Sequence, residues 1–224
     1  MDLAHRIKRS FKPRFAIVYP FGIAMFLFGA MDEYSLRAGI GYVIAGLLMR
    51  LWSNGYAIKN DKLTTSGPYA FVRNPLYLGT FLIAIGFAVV LKTSWFGVVF
   101  ILTLAVMYYK TINNEQGMLL AKFGDAYVKY TAKVPAMIPG ANLNLVPYAE
   151  GEKWPFSLQR LIDSKEHKVV IWVTVLLIVF HLKSRLIVED KPMTERSWIL
   201  VGIGLVLISL DVLYELNKKK LHKK

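Results

Sequence analysis

The chain has 224 residues, 55% of them hydrophobic, no cysteine and a formal net charge of +13, with a mean hydropathy of +0.41. That apolar share is above the ~45–50% of an ordinary soluble domain. The missing cysteines exclude disulfides, thiolate chemistry and cysteine-based metal sites. His5, His167, His181 and His222 show no ligand spacing, so no metal is expected.

In chain order, a basic start (residues 1–14) leads into an apolar block at Phe15–Ala30 with no small-residue cleavage site behind it, which reads as an uncleaved transmembrane helix. Five further blocks follow at Leu36–Trp52, Leu76–Leu91, Trp95–Tyr109, Val169–Leu182 and Trp198–Tyr214. Each is somewhat short of the ~20 residues that span a hydrocarbon core, but flanking Trp, Tyr, Lys and Arg extend them to the interface. A soluble bundle of six such helices would lack polar surface. The expected fold is therefore all-α and membrane-integral, with about six transmembrane helices. Three divisions are expected: residues 1–140 as a core, 141–167 as a linker or surface segment and 168–224 as a C-terminal helical hairpin with a basic tail.

Basic residues orient the chain. With a cytoplasmic N-terminus, the inner segments hold 22 of the 28 Lys and Arg: five in 1–14, four in 50–75, eight in 110–168 and five in 217–224. The positive-inside rule then places both termini in the cytoplasm. The charge is explained by anionic lipid head groups, and no nucleic-acid partner is expected.

Two segments carry candidate chemistry. In the first, Gly67-Pro68 signals a turn, and Asn74-Pro75 reads as an N-cap followed by Pro at the first helical position. Arg73 and Tyr77 flank that helix start. In the second, Leu119, Leu120, Phe123 and Tyr127 recur at helical spacing, as in an amphipathic helix lying on the membrane, with Glu115 expected at its first turn. Only Lys92, Thr93 and Ser94 separate the third and fourth blocks, so a tight helical hairpin returns the chain to one face. Arg73, Asn74 and Tyr77 can then approach Lys110 and Glu115 in a polar pocket beside the lipid. Gly41/Ala45 and Gly202/Gly204 are expected to serve close helix packing; His181 and Asp211 lie near span ends.

The stretch Gly-Pro-Tyr-Ala-Phe-Val-Arg-Asn-Pro-Leu-Tyr-Leu-Gly at 67–79 resembles the signature of the isoprenylcysteine carboxyl methyltransferase and phospholipid methyltransferase superfamily, as do Glu115-Gln116, Phe123-Gly124, Tyr127, Tyr130, Val134-Pro135 and Ile138-Pro139. The resemblance covers about 50–140. It implies a four-helix membrane methyltransferase core using S-adenosylmethionine on a membrane lipid or prenylated acceptor, in a bacterial inner membrane. Carried over by position, Tyr69, Arg73, Asn74, Tyr77, Gly79 and Glu115 would form the cofactor site, with Lys110, Arg73 and Glu115 catalytic.

Three departures stand out. Asn74 replaces the His of the isoprenylcysteine enzymes, and Gln116 replaces a second Glu. Lys110 replaces an Arg, keeping the charge but losing the planar fork that grips a carboxylate. O- and N-methylation both stay open. The alternatives are a nicotinamide-dependent membrane reductase of related fold and a non-catalytic protein that retains the fold.

Overall fold

The computed structural model describes residues 13–58, 62–138 and 147–221. Among these are eight α-helices and no strand. They are α1 (Pro13–Phe28), α2 (Glu33–Tyr56), α3 (Pro75–Val90), α4 (Ser94–Phe123), α5 (Asp125–Lys133), α6 (Leu158–Asp163), α7 (His167–Lys183) and α8 (Glu195–Leu221), with a 3-10 turn at Gly67–Ala70 and a π turn at Ser184–Val188. All six apolar blocks coincide with helices. The stretches Trp95–Phe123, His167–Val188 and Glu195–Asn217 are long and apolar enough to cross a membrane, and the protein is integral to it. Large apolar side chains stand exposed along them, among them Leu102 on α4, Trp172 on α7 and Leu205 on α8; facing lipid, such exposure costs nothing.

The framework is the antiparallel pair α2–α3. The buried face of α2 runs through Ser35, Gly39, Val43, Gly46 and Ser53, and that of α3 through Gly79, Gly86 and Val90. Two glycine pairs bring the backbones together. A Cβ on Gly46 would lie 2.5 Å from the Gly79 carbonyl oxygen, and one on Gly39 would lie 2.7 Å from that of Gly86. Such contacts hold helices together where lipid offers no hydrophobic drive. Among the described residues, a Cβ on the expected Gly41 or Gly202 would instead have nothing within 4 Å, and one on Gly204 would meet only the end of Ile178. Gly41 is two residues from Gly39 and turns some 160° off the seam, since successive helical residues are ~100° apart.

Around this pair a core gathers Met25, Val43, Phe87, Val90, Leu91, Val173 and Phe180, so α1 and α7 close over it. The Phe180 ring lies 6.1 Å from Phe26 and 6.3 Å from Phe87. At one end of the bundle, Ser184 Oγ accepts the Met31 amide at 2.7 Å, and Lys183 Nζ donates to the Gly29 carbonyl at 2.5 Å. These bonds satisfy backbone groups left over where α1 ends. Asp32 opens α2 as its N-cap in a reciprocal capping box with Ser35 and pairs with Lys92 of the α3–α4 link.

One expectation is corrected here. Glu115 does not begin a surface helix. It lies inside α4, which runs unbroken for 30 residues from Ser94 to Phe123. No proline interrupts that stretch, and the helix ends only at Gly124, whose φ of +51° is left-handed and favours glycine. The chain then enters α5 at once, and Tyr127, Tyr130 and Val134 fold back to form a small second core with Leu63, Leu119 and Phe123.

Residues 147–166 pack along the far end of α2. Phe156 lies against Gly55, where a Cβ would strike its ring. The Ser157 amide donates to the Gly55 carbonyl at 2.9 Å, and the Trp154 amide donates to Ser66 Oγ at 2.8 Å.

Candidate active site

The candidate site is a cavity of about 880 Å3 between the start of α3, the middle of α4, the 62–77 segment and α5. That is near the top of the ~300–1,000 Å3 range of small-ligand pockets. Tyr69, Arg73, Asn74, Tyr77 and Glu115 all line it, together with Arg50, Lys62, Thr80, Tyr108 and Tyr130.

The hairpin geometry brings Tyr77 to Glu115. The Tyr77 hydroxyl donates to Glu115 Oε1 at 2.7 Å, joining residues 38 positions apart. The Tyr77 ring lies 4.7 Å from that of Tyr108. Tyr108 and Glu115 are seven residues apart on α4, two helical turns, so both present to the same side.

Lys110 is five residues from Glu115, which turns it ~140° around the helix. It is exposed, and the structure does not bring it to the cavity wall. Gly79 is also absent from the wall and sits in the α2–α3 seam, where a Cβ would lie 2.6 Å from Arg50 Cγ.

Asn74 occupies the N-cap position of α3 with Pro75 behind it, yet its side chain makes no capping bond. Its amide instead donates to the Ala136 carbonyl at 3.0 Å, while the Arg73 and Asn74 backbone amides reach the Pro135 and Ala136 carbonyls. Three bonds therefore stitch the start of α3 to the segment after α5. A histidine N–H could serve in place of the Asn74 amide, so this departure preserves a donor.

Tyr130 donates its hydroxyl to the Tyr69 carbonyl at 2.6 Å and packs edge-on against Tyr148, with centroids 5.3 Å apart. Burial, reinforced by the Glu115 carboxylate and opposed by Arg50, pushes the Tyr69 hydroxyl well above the usual phenol range; burial does the same to Tyr130. Burial thus favours the neutral form of both phenols. Among the described residues, no hydrogen-bond partner reaches the buried Arg73 Nε. An unpaired buried donor is costly, and here it belongs to a residue that lines a cavity large enough for a ligand.

Sequence reasoning missed Arg50. It binds Glu166 through Nε and through Nη2, the latter at 3.1 Å, and donates from Nη1 to Thr80 Oγ1 at 2.6 Å. Glu166 also accepts from Asn54 Nδ2 at 2.9 Å. A signal existed: Arg50 continues the three-and-four spacing of Gly39, Gly46 and Ser53, which puts a charge on the small-residue face of an apolar helix.

Residues 18–126 match the family model described as phospholipid methyltransferase. The protein-S-isoprenylcysteine O-methyltransferase of Schizosaccharomyces pombe is 38% identical over 81 residues, covering 36% of this chain and 34% of that protein. The cobalt-zinc-cadmium resistance protein CzcN of Cupriavidus metallidurans is 30% identical over 136 residues, covering 57% of this chain and 62% of that one. The steroid 5-alpha-reductase DET2 of Solanum lycopersicum is 32% identical over 107 residues, covering 44% and 41%. The chain thus spans between about a third and three-fifths of these curated relatives. No solved structure matches it. Residues 18–126, which hold the α2–α3 framework and both partners of the Tyr77–Glu115 bond, are thus the part of the chain that is similar to the phospholipid methyltransferases.

Proposed function

We propose that the protein is an S-adenosylmethionine-dependent methyltransferase acting on a lipid-like or prenylated acceptor that reaches the cavity from the bilayer. The observation that carries this reading is the Tyr77–Glu115 bond: it closes the two motif segments onto one cavity whose wall holds cations, a carboxylate and aromatic rings. Six membrane crossings, cytoplasmic termini and a bacterial inner-membrane location complete the proposal, supported by the basic-residue asymmetry.

The cavity suits the cofactor. S-adenosylmethionine supplies, when bound, a methyl group made electrophilic by its sulfonium. Arg73, whose Nε has no partner among the described residues, offers a donor to a carboxylate, and Glu115 offers an anion to an ammonium or sulfonium charge. Tyr69, Tyr77 and Tyr108 supply faces for an aromatic base. The protein's task is alignment and exclusion of water. A carboxylate acceptor needs only a cation to hold it, which Arg73 provides from inside the cavity. An amine acceptor must also lose a proton, and Glu115 is the carboxylate placed to take it.

The test is equilibrium binding of S-adenosylmethionine to the protein in nanodiscs. Micromolar binding by the wild type, lost in Glu115→Ala, is the expected result, followed by labelled-methyl transfer into lipid extracts. A folded wild type that ignores S-adenosylmethionine refutes the proposal. The similarity to a steroid reductase makes a nicotinamide cofactor the second ligand to assay, and binding of neither favours a non-catalytic role.

A further inference from the structure

Arg50 is a lining residue of the cavity, yet the group that holds it comes from outside the family-matched segment. Glu166 lies 40 residues beyond the end of that segment at 126 and 116 positions from Arg50. It occupies the N-cap position of α7 but makes no capping bond there; its carboxylate turns to Arg50 and Asn54 instead. Two features aim it. The preceding residue, Lys165, has a φ of +61°, which turns the chain sharply from α6 into α7. Ser164 Oγ also accepts the Glu166 amide at 3.3 Å. Glu166 is 5% exposed, and the side chain of Arg50 is 20% exposed.

An arginine has five N–H donors in a rigid fork. Nε and one N–H of Nη2 go to the two oxygens of Glu166, and Nη1 bonds Thr80 Oγ1, with the Leu76 carbonyl at the outer limit of 3.5 Å. Thr80 itself donates to that same carbonyl at 3.0 Å. The guanidinium is thus gripped from two sides, by the start of α7 and by the first turns of α3. Its second Nη2 hydrogen has no partner among the described residues.

We infer that Glu166 is a positioning residue for the candidate site: the C-terminal helices lend a buried carboxylate that fixes Arg50 in the cavity wall, so that its remaining N–H and its partly neutralised charge meet a bound ligand in one orientation. The inference rests on the proposed methyltransferase reading for the identity of that ligand. It makes α7 a component of the site and not an appendage to the family core.

The experiment measures S-adenosylmethionine affinity by equilibrium binding in nanodiscs, alongside thermal unfolding, for wild type, Glu166→Gln, Arg50→Lys and the double variant. Glu166→Gln keeps the side-chain shape and removes the charge; it is expected to weaken binding about tenfold, the size of one charge-assisted hydrogen bond. Arg50→Lys loses the fork and is expected to weaken binding at least as much. If Glu166 acts through Arg50, the double variant is no weaker than Arg50→Lys alone, because the two share one interaction. Should Glu166→Gln not assemble, Glu166→Asp, which keeps the charge but retracts it by one methylene, is expected to weaken binding in the same direction. Affinity unchanged in the Glu166 variants, or losses that simply multiply in the double variant, overturns the inference and leaves the methyltransferase reading standing. A folded wild type with no affinity overturns both.

Discussion

The two helix pairs of this protein are joined by different physics. In α2–α3 the contact is backbone on backbone: Gly39 faces Gly86, Gly46 faces Gly79, and neither pair has room for a methyl group. In α7–α8 the contact is made by side chains and charges. Lys168 reaches Glu215 at 2.8 Å and Asp211 at 3.3 Å, Lys165 reaches Glu215 at 3.2 Å, and His167 lies against Tyr214 with ring centroids 4.7 Å apart. Glycine contacts put two backbones in direct touch with no side chain between them to adjust; lysine and glutamate clasps hold by flexible arms and tolerate small shifts. The tighter joint is the one that places α3, whose first turns carry Pro75, Leu76, Tyr77 and Thr80 into the cavity.

Three substitutions test that contrast. Gly46→Val should be the most damaging, since its Cβ alone would lie 2.5 Å from the Gly79 carbonyl and the helices must part; we expect either no folded protein or a loss exceeding the ~1–3 kcal/mol typical of overpacking, read by thermal unfolding in nanodiscs. Lys168→Ala comes next, at about 1–3 kcal/mol, the cost of leaving a largely buried Asp211 without its charged partner. Binding of S-adenosylmethionine should survive this change, because the clasp lies away from the cavity wall. Gly202→Ala should be the mildest: no described residue stands within 4 Å of its added methyl, and a helical alanine is favoured over glycine by roughly 0.5–1 kcal/mol, so the melting temperature should hold or rise slightly. A Gly46→Val protein that melts like the wild type, or a Gly202→Ala protein that collapses, would reverse the assignment of tight and loose joints.

Much of this was legible in the sequence. Every apolar block became a helix, because block length and flanking residues carry that information directly. The three-residue link at 92–94 announced an antiparallel hairpin, and the meeting of Tyr77 with Glu115 follows from that topology. What stayed hidden depends on distance along the chain or on rotation about a helix. No local pattern connects Arg50 to Glu166. The glycine seam uses positions seven apart on two helices, while the small-residue pairs nearest in sequence, Gly41/Ala45 and Gly202/Gly204, lie off it. The end of α4 was placed too early because a polar run, Lys110 to Gln116, looks like a helix boundary; backbone geometry breaks only at Gly124. Lys110 drew attention through its place in the resemblance, five residues before Glu115, and only the helical phase shows it turned from Glu115.

The length of α3 has a further consequence. Its 16 residues rise only about 24 Å at ~1.5 Å each, some 6 Å less than a typical hydrocarbon core of ~30 Å. Taken as one of the proposed crossings, so short a helix is matched by a locally thinned bilayer or by ends that stop beneath the head groups. The end where Tyr77 and Thr80 line the cavity would then sit at acyl-chain depth. A lipid acceptor would slide in sideways along the membrane plane, with no need to lift its tail into water, and the dent in the bilayer would draw such molecules toward the mouth of the site.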